Sequence, residues 1–388
     1  MKKVSYRFRQ SKMKGGERVM RRVFLTVLVM IIAVAMSYSF AFAISGQCSN
    51  CHTMHNSQNG TAVVSGGPYE RLLKGDCASC HTESTAATGA PVVYHDSTTP
   101  TGQGAAGGTL AGGDFYWVVN QATYGDAYGH NVSELVGADG NIGTTPPGWD
   151  QAATTGLTFN GKTLQVTGGT GWTGNQLTCA GTFGCHGYRD AAGIGGLTGA
   201  HHSNLGTGAQ NSAPTDLGSS YRFLAGIKGL EDSDWQETES STDHNEYYGV
   251  DDTSARNGTS TYSDTSTISF LCAECHGQFH SAINNNDPAA SPWIRHPTDI
   301  VLPNSGEYAN YTTYSTQAPV ARPAVPATAS ATVTPGDSTT ATGAIVMCLS
   351  CHRPHGSDQP DLLRWDYTTM IAGGGGSGGC FTCHTTKN

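Results

Sequence analysis

Residues 348–352 read Cys-Leu-Ser-Cys-His, and this pattern of two cysteines followed at once by histidine decides the fold. It occurs six times, with one change of spacing, so that all twelve cysteines of the 388-residue chain stand in pairs. In five pairs two residues separate the cysteines, which is the spacing of covalent attachment sites for c-type haem. The two thiols add to the vinyl groups of the porphyrin, and the adjacent imidazole reaches the iron as its proximal ligand. The predicted attachment residues are Cys48/Cys51, Cys77/Cys80, Cys179/Cys185, Cys272/Cys275, Cys348/Cys351 and Cys380/Cys383, with proximal ligands His52, His81, His186, His276, His352 and His384.

The third pair is irregular, because five residues separate Cys179 from Cys185. The intervening Ala-Gly-Thr-Phe-Gly can bulge between two thioethers because its glycines tolerate unusual backbone angles. No cysteine is left over elsewhere, so we predict a sixth haem here, with a disulfide beside five haems as the alternative. For the whole chain, six disulfides or zinc-binding cysteine pairs are weaker alternatives, since neither explains a histidine after every second cysteine. A thioredoxin-type redox pair fails for the same reason.

The composition shows why the chain needs these cofactors. Residues 1–43 combine a basic lead, an apolar run and a final Ala-Phe-Ala, which predicts a secretory signal peptide. In the remaining chain Leu, Ile, Val and Phe make up only 49 of 345 residues, below the roughly 20% under which a highly charged chain is expected to stay disordered. Porphyrins are large, flat and apolar, so six of them would replace the missing aliphatic core. We therefore predict a mostly irregular, coil fold with short helices, wrapped around a closely packed chain of six covalently bound c-type haems.

Removal of the signal peptide also changes the charge. Residues 1–43 carry nine basic side chains and one acidic side chain, so the formal charge moves from −9 to −17. Nucleic acid and anionic membrane surfaces are poor partners for such an acidic chain. We expect an exported protein at the cell surface or in the extracellular space, with the periplasm as the alternative location.

The attachment motifs and the loop composition divide the rest of the chain. We predict an N-terminal two-haem segment at 44–100, a central two-haem segment with long Gly/Ser/Thr loops at 101–308, and a C-terminal two-haem segment at 345–388. Residues 309–344 are rich in Pro, Thr and Ala, which predicts an extended linker.

The second axial ligand of each iron decides the chemistry. Residues 44–388 contain only three methionines but nine histidines besides the six proximal ones, so bis-histidine ligation is expected. Full bis-histidine ligation leaves no open coordination site, so we predict an electron-transfer protein that is not an enzyme. A multihaem reductase with one open haem is the less favoured alternative. The pool of distal ligands is His55, His95, His130, His201, His202, His244, His280, His296 and His355.

Three of these histidines closely follow a proximal histidine. His55 and His355 each come three residues after one, and His280 comes four residues after one. Such a histidine lies on the same side of the chain as its neighbour, so it cannot reach the far face of the same porphyrin. Its expected target is a different haem, and neighbouring haems must then lie nearly in contact.

Several stretches of the sequence carry a family resemblance. They are Ile44–Ser57, Gly112–Phe115, Gly129–Asn131, Ile294–Pro297 and Cys348–His355. They resemble the extracellular multihaem cytochromes of the OmcS/OmcE type, which polymerise into conductive filaments on metal-reducing microbes. The haem number matches the six-haem member, whereas Cys179–Gly187 and Gly199–His202 are closer to the four-haem type.

The resemblance implies roles for particular histidines. In the family, the second histidine of the Cys-His-Thr-Met-His segment ligates a haem of the next subunit, a role that would fall on His55. The firmer distal ligands are His55, His130, His280, His296 and His355. The third site lacks the nearby histidine of the six-haem member, which leaves the sixth distal ligand open. The pool for it is His202, His201, His244 and His95, of which His95 is the weakest pattern match.

The resemblance also implies partners. Copies of the same chain would join end to end through His55 to form a homopolymer. Upstream periplasmic or outer-membrane cytochromes and extracellular electron acceptors would be the redox partners. A soluble periplasmic electron shuttle with the same haems and no assembly is the alternative.

Overall fold

The computed structural model describes residues 47–63, 72–86, 89–101, 108–149, 158–159, 162–163, 172–197, 209–210, 217–251, 264–276, 279 and 296–388. These residues lie in one compact unit that spans Ala43–Asn388. The predicted signal peptide is outside the described residues, as are His201, His202 and His280. Within the described part of the chain, no helix is both long and apolar enough to cross a membrane.

Regular secondary structure is sparse, and its elements are short. The α-helices of the described residues are α1 Ala78–His81, α2 Tyr116–Val119 and α3 Ile268–Ala273. The 3-10 helices are Cys48–Asn50, Asp126–Tyr128, Gly193–Gly196, Leu217–Ser219, Tyr221–Phe223, Gly306–Asn310, Cys348–Ser350, Pro360–Leu362, Tyr367–Thr369 and Gly379–Thr382. The strands are β1 Ser57–Gln58, β2 Thr61–Ala62, β3 Thr158–Phe159, β4 Lys162–Thr163, β5 Thr178–Ala180, β6 Gly184–His186, β7 Ala209–Gln210, β8 Gly229–Leu230, β9 Glu246–Tyr248, β10 Ile300–Val301, β11 Ala321–Arg322 and β12 Ile345–Val346. The prediction of a mostly irregular fold with short helices is confirmed.

One sheet joins parts of the chain that are far apart in sequence. Its six strands follow the order β10-β12-β11-β9-β8-β7, in which only the β11–β9 pair is parallel. Ala321 lies at its centre, paired with Tyr247 on one side and with Ile345 on the other. The sheet therefore ties the central segment to the C-terminal segment.

Residues 309–344 are not an extended linker, which corrects the prediction from composition. Tyr311, Tyr314, Val320 and Val333 are buried in one apolar cluster with parts of β12. Each of these side chains is at most 3% exposed. The segment is therefore an integral part of the core.

Arg322 explains why this Pro- and Thr-rich segment folds. Its side chain is fully buried, and its Nε donates a hydrogen bond of 3.0 Å to Oε2 of Glu246. A buried guanidinium is tolerated only when its donors are satisfied, so backbone carbonyls converge on it. Its terminal nitrogens donate to the carbonyl oxygens of Ser330, Thr332, Thr342 and Gly343.

The small apolar clusters of the chain pack against attachment cysteines. The cluster around Phe115 contacts Cys179, and the cluster around Tyr314 contacts Cys383. The polypeptide core is therefore built around the predicted haem sites, in keeping with a fold that porphyrins complete.

Candidate haem-binding sites

Five of the six attachment motifs share one local structure, a helical turn at the first cysteine. In each of them the amide of the histidine donates a hydrogen bond of 2.9–3.1 Å to the carbonyl of the first cysteine, four residues earlier. This helical bond fixes the imidazole relative to the two thiols. The histidines concerned are His52, His81, His276, His352 and His384.

The third attachment motif has a different local structure. Strands β5 and β6 run parallel within one tight loop, so that Thr178 pairs with Gly184 and Ala180 pairs with His186. Gly181 has a φ of +83°, and a Cβ on Gly184 would lie 2.4 Å from the carbonyl carbon of Ala180. Glycine is required at both positions, because a side chain would be strained at the first and would clash at the second. The five-residue spacer is therefore folded back on itself.

Replacing Cys179 and Cys185 together by serine tests the sixth haem. We expect the haem content to fall by one per chain, because both thioether bonds of the third site are removed, and intact-mass spectrometry measures this loss directly. Thr182→Ser changes the same spacer without touching a thiol and is expected to keep every haem. A double variant with unchanged haem content would show that these two thiols carry none.

Hydrogen bonds orient the proximal imidazoles. In four of them Nδ1 lies 2.7–2.9 Å from a backbone carbonyl oxygen, and in a fifth it lies 3.2 Å from a carboxylate oxygen. A carbonyl only accepts hydrogen bonds, so Nδ1 carries the proton and Nε2 keeps the lone pair that a metal needs. The pairs are His81 with Pro91, His186 with Arg222, His276 with Pro147, His352 with Asp361, and His384 with Glu307.

Three proximal imidazoles face a second imidazole from a distant part of the chain. The centroids of the two rings are 6.2–6.3 Å apart in each case. Two metal–nitrogen bonds of about 2 Å in line, with about 1 Å from each nitrogen to its ring centre, give a separation of about 6 Å. The rings therefore have the spacing of two axial ligands on one iron. The pairs are His130–His276, His186–His355 and His296–His384.

In each pair, the imidazole that faces the proximal one is neutral. Nδ1 of His130 lies 2.5 Å from the carbonyl oxygen of Pro354, and Nδ1 of His296 lies 3.0 Å from that of Pro297. Burial lowers the pKa of His130, His296 and His355, in the last case to about 3. At pH 7 all three rings are uncharged, as an iron ligand must be.

His355 is carried by a loop that packs closely against two other segments. A Cβ on Gly113 would lie 1.9 Å from the carbonyl oxygen of Gly356, and one on Gly129 would lie 2.7 Å from that of His355. The His355 ring stacks on Phe115, with centroids 4.8 Å apart. Backbone segments approach this closely only where side chains are absent, so glycines allow the three segments to meet.

His95 has a carboxylate partner in place of a carbonyl. Its Nδ1 lies 2.6 Å from Oδ2 of Asp114, and its amide donates to Oδ1 of the same residue at 3.1 Å. Asp114 is fully buried, and its hydrogen bond is the main cause that raises the pKa of His95. A carboxylate on Nδ1 is a frequent outer partner of a metal-ligating histidine, so the fit to a metal site is good.

His244 does not fit the role of a distal ligand. Its Nδ1 lies 3.0 Å from the carbonyl oxygen of Ser240, and its Nε2 lies 3.2 Å from Oε1 of Glu246. The fully buried ring also stacks on Tyr314, with centroids 3.7 Å apart. A haem ligand needs one ring nitrogen for the iron, so the structure argues against the prediction for His244.

His55 lies at the surface on a tight turn. His55 and Asn56 have φ values of +55° and +72°, and Met54 and Ser57 exchange two backbone hydrogen bonds of 3.1 Å. Two consecutive positive φ values are typical of a type I′ turn. The turn presents an exposed imidazole next to Met54, which is 72% exposed.

The thiols of successive attachment motifs approach one another. In five pairs the two thiols lie close enough to interact electrostatically. Successive motifs therefore lie side by side from the first to the sixth. In chain order the pairs are Cys51–Cys80, Cys77–Cys179, Cys185–Cys275, Cys272–Cys348 and Cys351–Cys380.

Comparison with known proteins identifies the family. The chain is 31% identical over 380 residues to the C-type cytochrome OmcS of Geobacter sulfurreducens, a match that covers 85% of this chain and 82% of that protein. The chain belongs to the OmcS family of c-type cytochromes. Residues 341–388, which hold the fifth and sixth motifs, also match the family described as the doubled CXXCH motif.

Two solved structures of this family are similar to the chain. The outer membrane cytochrome S filament from Geobacter sulfurreducens is 20% identical, with a TM-score of 0.42 and coverage of 85% of this chain and 86% of that one. The OmcS nanowire structure from the same organism is 18% identical, with a TM-score of 0.39 and coverage of 86% of each chain. Both TM-scores are below 0.5.

Membership in the OmcS family establishes the class of cofactor and of activity. The chain is a multihaem c-type cytochrome that transfers electrons and is not an enzyme. It binds haem c covalently, which excludes zinc sites or disulfides at every cysteine pair. All twelve cysteines lie in the described part of the chain.

The sequence interpretation missed the groups that orient the histidines in this OmcS-family chain. Four of the accepting carbonyls belong to prolines, whose fixed φ holds the carbonyl rigidly. Only Pro297 stands next to the histidine that it orients, so it alone is a usable signal in the sequence, whereas the other three lie far from their partners. The four are Pro91, Pro147, Pro297 and Pro354.

Proposed function

We propose that the chain is a hexahaem, bis-histidine cytochrome that conducts electrons along one continuous row of haems and polymerises into an extracellular filament. Bound haem supplies an iron that changes its oxidation state by one electron. The observation that carries the proposal is the set of three imidazole pairs with centroids 6.2–6.3 Å apart. Two imidazoles on one iron leave no site for a substrate, so such a protein carries electrons only.

The contacts between attachment sites support a path in sequence order. Successive thiol pairs adjoin from the first to the sixth site, and an ion pair reinforces the junction of the third and fourth. Arg189, three residues after the proximal histidine of the third site, donates to Glu274 and to the carbonyl of Gly184. Glu274 lies between the two cysteines of the fourth site in sequence, so the Arg189–Glu274 ion pair holds two neighbouring haem sites together.

The imidazole pairs support three of the proposed distal ligands. His355 serves the third site, His130 the fourth and His296 the sixth. We add His95, because its carboxylate partner is the arrangement found behind metal-ligating histidines. The remaining pool for the other sites is His55, His280, His201 and His202.

Asp114→Asn tests His95 as an iron ligand. The carboxylate makes the imidazole a stronger electron donor and favours ferric iron, so its removal is expected to raise the reduction potential of one haem. We expect a shift on the order of 60 mV, equivalent to tenfold in a one-electron equilibrium constant. A potentiometric titration followed by haem absorbance measures it.

The matched control for this variant is Glu237→Gln. Glu237 is a nearby carboxylate that acts on His95 through space only, so its removal is expected to shift the potential less. Identical titrations of the Asp114 variant and the wild-type chain would take His95 out of the ligand set.

The exposed position of His55 supports polymerisation. The related solved structures are described as a filament and as nanowires, and in the family a histidine at this place ligates a haem of the next subunit. His55 is exposed on its turn, so another molecule can contact its side chain. Acidic subunits repel one another, so a histidine–iron bond would supply the attraction that surface charge does not.

The proposed location and partners follow from this function. The signal peptide predicted at residues 1–43 would direct export, and a filament would place the chain outside the cell. Upstream periplasmic or outer-membrane cytochromes would deliver electrons, and extracellular acceptors would receive them.

Cryo-electron microscopy of surface-sheared material tests the proposal as a whole. We expect filaments with six haems in each subunit and two imidazoles on every iron. Six-haem monomers alone would favour the periplasmic shuttle instead. A high-spin ferric signal that shifts on addition of cyanide would favour a reductase with an open haem.

A further inference from the structure

Two adjacent side chains beside the fifth attachment site bury donors that no described residue satisfies. Arg364 and Trp365 are each only 7% exposed. Nε of Arg364 donates to the carbonyl of Leu349 at 2.7 Å, and Nη1 donates to that of Thr316 at 3.3 Å. Nη2 of Arg364 and the indole Nε1 of Trp365 have no hydrogen-bond partner among the described residues.

These two residues lie at the junction of the fifth and sixth sites. The amide of Arg364 donates to the carbonyl of Cys351 at 2.9 Å, and its guanidinium acts electrostatically on the Cys351 thiol, as does Cys380. The indole of Trp365 packs on Gly379, where an added Cβ would lie 2.9 Å from the ring. Arg364 therefore adjoins an attachment cysteine of the fifth site, and Trp365 adjoins the residue before an attachment cysteine of the sixth site.

A buried guanidinium needs an anionic or strongly accepting partner. The buried Arg322 pairs with the carboxylate of Glu246 and donates to four backbone carbonyls. No described carboxylate forms an ion pair with Arg364. With no partner among the described carboxylates, the guanidinium is matched by the groups brought to this junction, which are haems, each with two propionates.

We propose that Arg364 and Trp365 form a binding site for one haem propionate at the junction of the fifth and sixth haems. Arg364 would raise the reduction potential of the haem that carries this propionate. The inference rests on the proposed function, because it requires haems at both sites. Planar guanidinium groups bind carboxylates through two parallel hydrogen bonds. A positive charge held near the iron favours the ferrous state, which is less positive than the ferric state by one charge.

Spectroelectrochemical titration of the full haem-loaded chain tests the inference. We expect Arg364→Gln to keep all haems and to move one single-haem component to lower potential, while Arg364→Lys, which retains the charge, stays near the wild-type value. Trp365→Phe removes only the indole donor, and the same component is expected to move down by less. Lys387→Gln removes an exposed positive charge near the sixth site and is the matched control, with the smallest shift.

The outcomes separate the inference from the proposed function. Intact mass that shows no haem at the fifth or sixth site of the wild-type chain contradicts the proposed function. Full haem content with superimposable titrations in the Arg364 and Trp365 variants overturns the inference alone. If Arg364→Gln does not fold, Trp365→Phe decides, because an unchanged potential in that variant equally overturns the inference.

Discussion

Replacing His55 by asparagine is expected to leave haem loading unchanged and to abolish filaments. Asparagine tolerates a left-handed backbone better than most residues, so the turn with φ of +55° at this position should persist. Only the imidazole is lost, and with it the proposed bond to the iron of the next subunit. Intact mass reports the haem content, and electron microscopy of sheared material reports the filaments.

A second change, in the β1–β2 hairpin that follows the His55 turn, separates loss of the imidazole from a change of local backbone shape. Asn59 also has a positive φ, in the turn that joins β1 to β2, so Asn59→Gly alters the hairpin and keeps every histidine. We expect this variant to polymerise normally. Filaments of ordinary length in the His55 variant would contradict ligation between subunits.

His355→Ala is expected to convert one haem from low spin to high spin. The His355 ring faces His186 at 6.3 Å between centroids and no other described histidine replaces it there, so the third iron would lose its distal ligand. An electron-paramagnetic-resonance spectrum of the ferric protein should show one new high-spin centre. Added imidazole should restore the low-spin signal, because it can enter the space that the side chain leaves.

His244→Gln is the matched control for this experiment. His244 is as deeply buried as a ligand, but both of its nitrogens are bonded within the polypeptide. We expect a loss of about 1–3 kcal/mol in the free energy of unfolding, from the disrupted buried hydrogen bonds. Every haem should stay low spin, and a new high-spin centre in this variant would contradict the structural role of His244.

The haem attachment sites could be predicted from the sequence because their chemistry is local. Two cysteines and a histidine within five residues specify a helical turn, and the His52 and His384 amides make the expected bond to the first cysteine. The family resemblance added the proposal that His55 ligates a haem of the next subunit. Composition alone also predicted the scarcity of regular structure, since so few aliphatic side chains cannot build a conventional core.

The distal ligands could not be paired with irons from the sequence because the pairing is a property of the tertiary fold. His130 bonds to Pro354 across 224 positions of the sequence, and neither residue signals the other. The same limit explains residues 309–344, where one buried arginine, Arg322, orders a segment whose composition predicts a linker. His95 is the weakest pattern match in the sequence, and only the fold brings its partner Asp114 to it.

The loop that carries His355 back to His186 has a consequence for the time course of assembly. In an exported chain that is threaded N-terminus first, the third cysteine pair would leave the cell before His355. The proposed distal ligand of the third site would then be delivered after its two thiols. A truncation that removes His355 would therefore affect a site in the middle of the proposed row of haems.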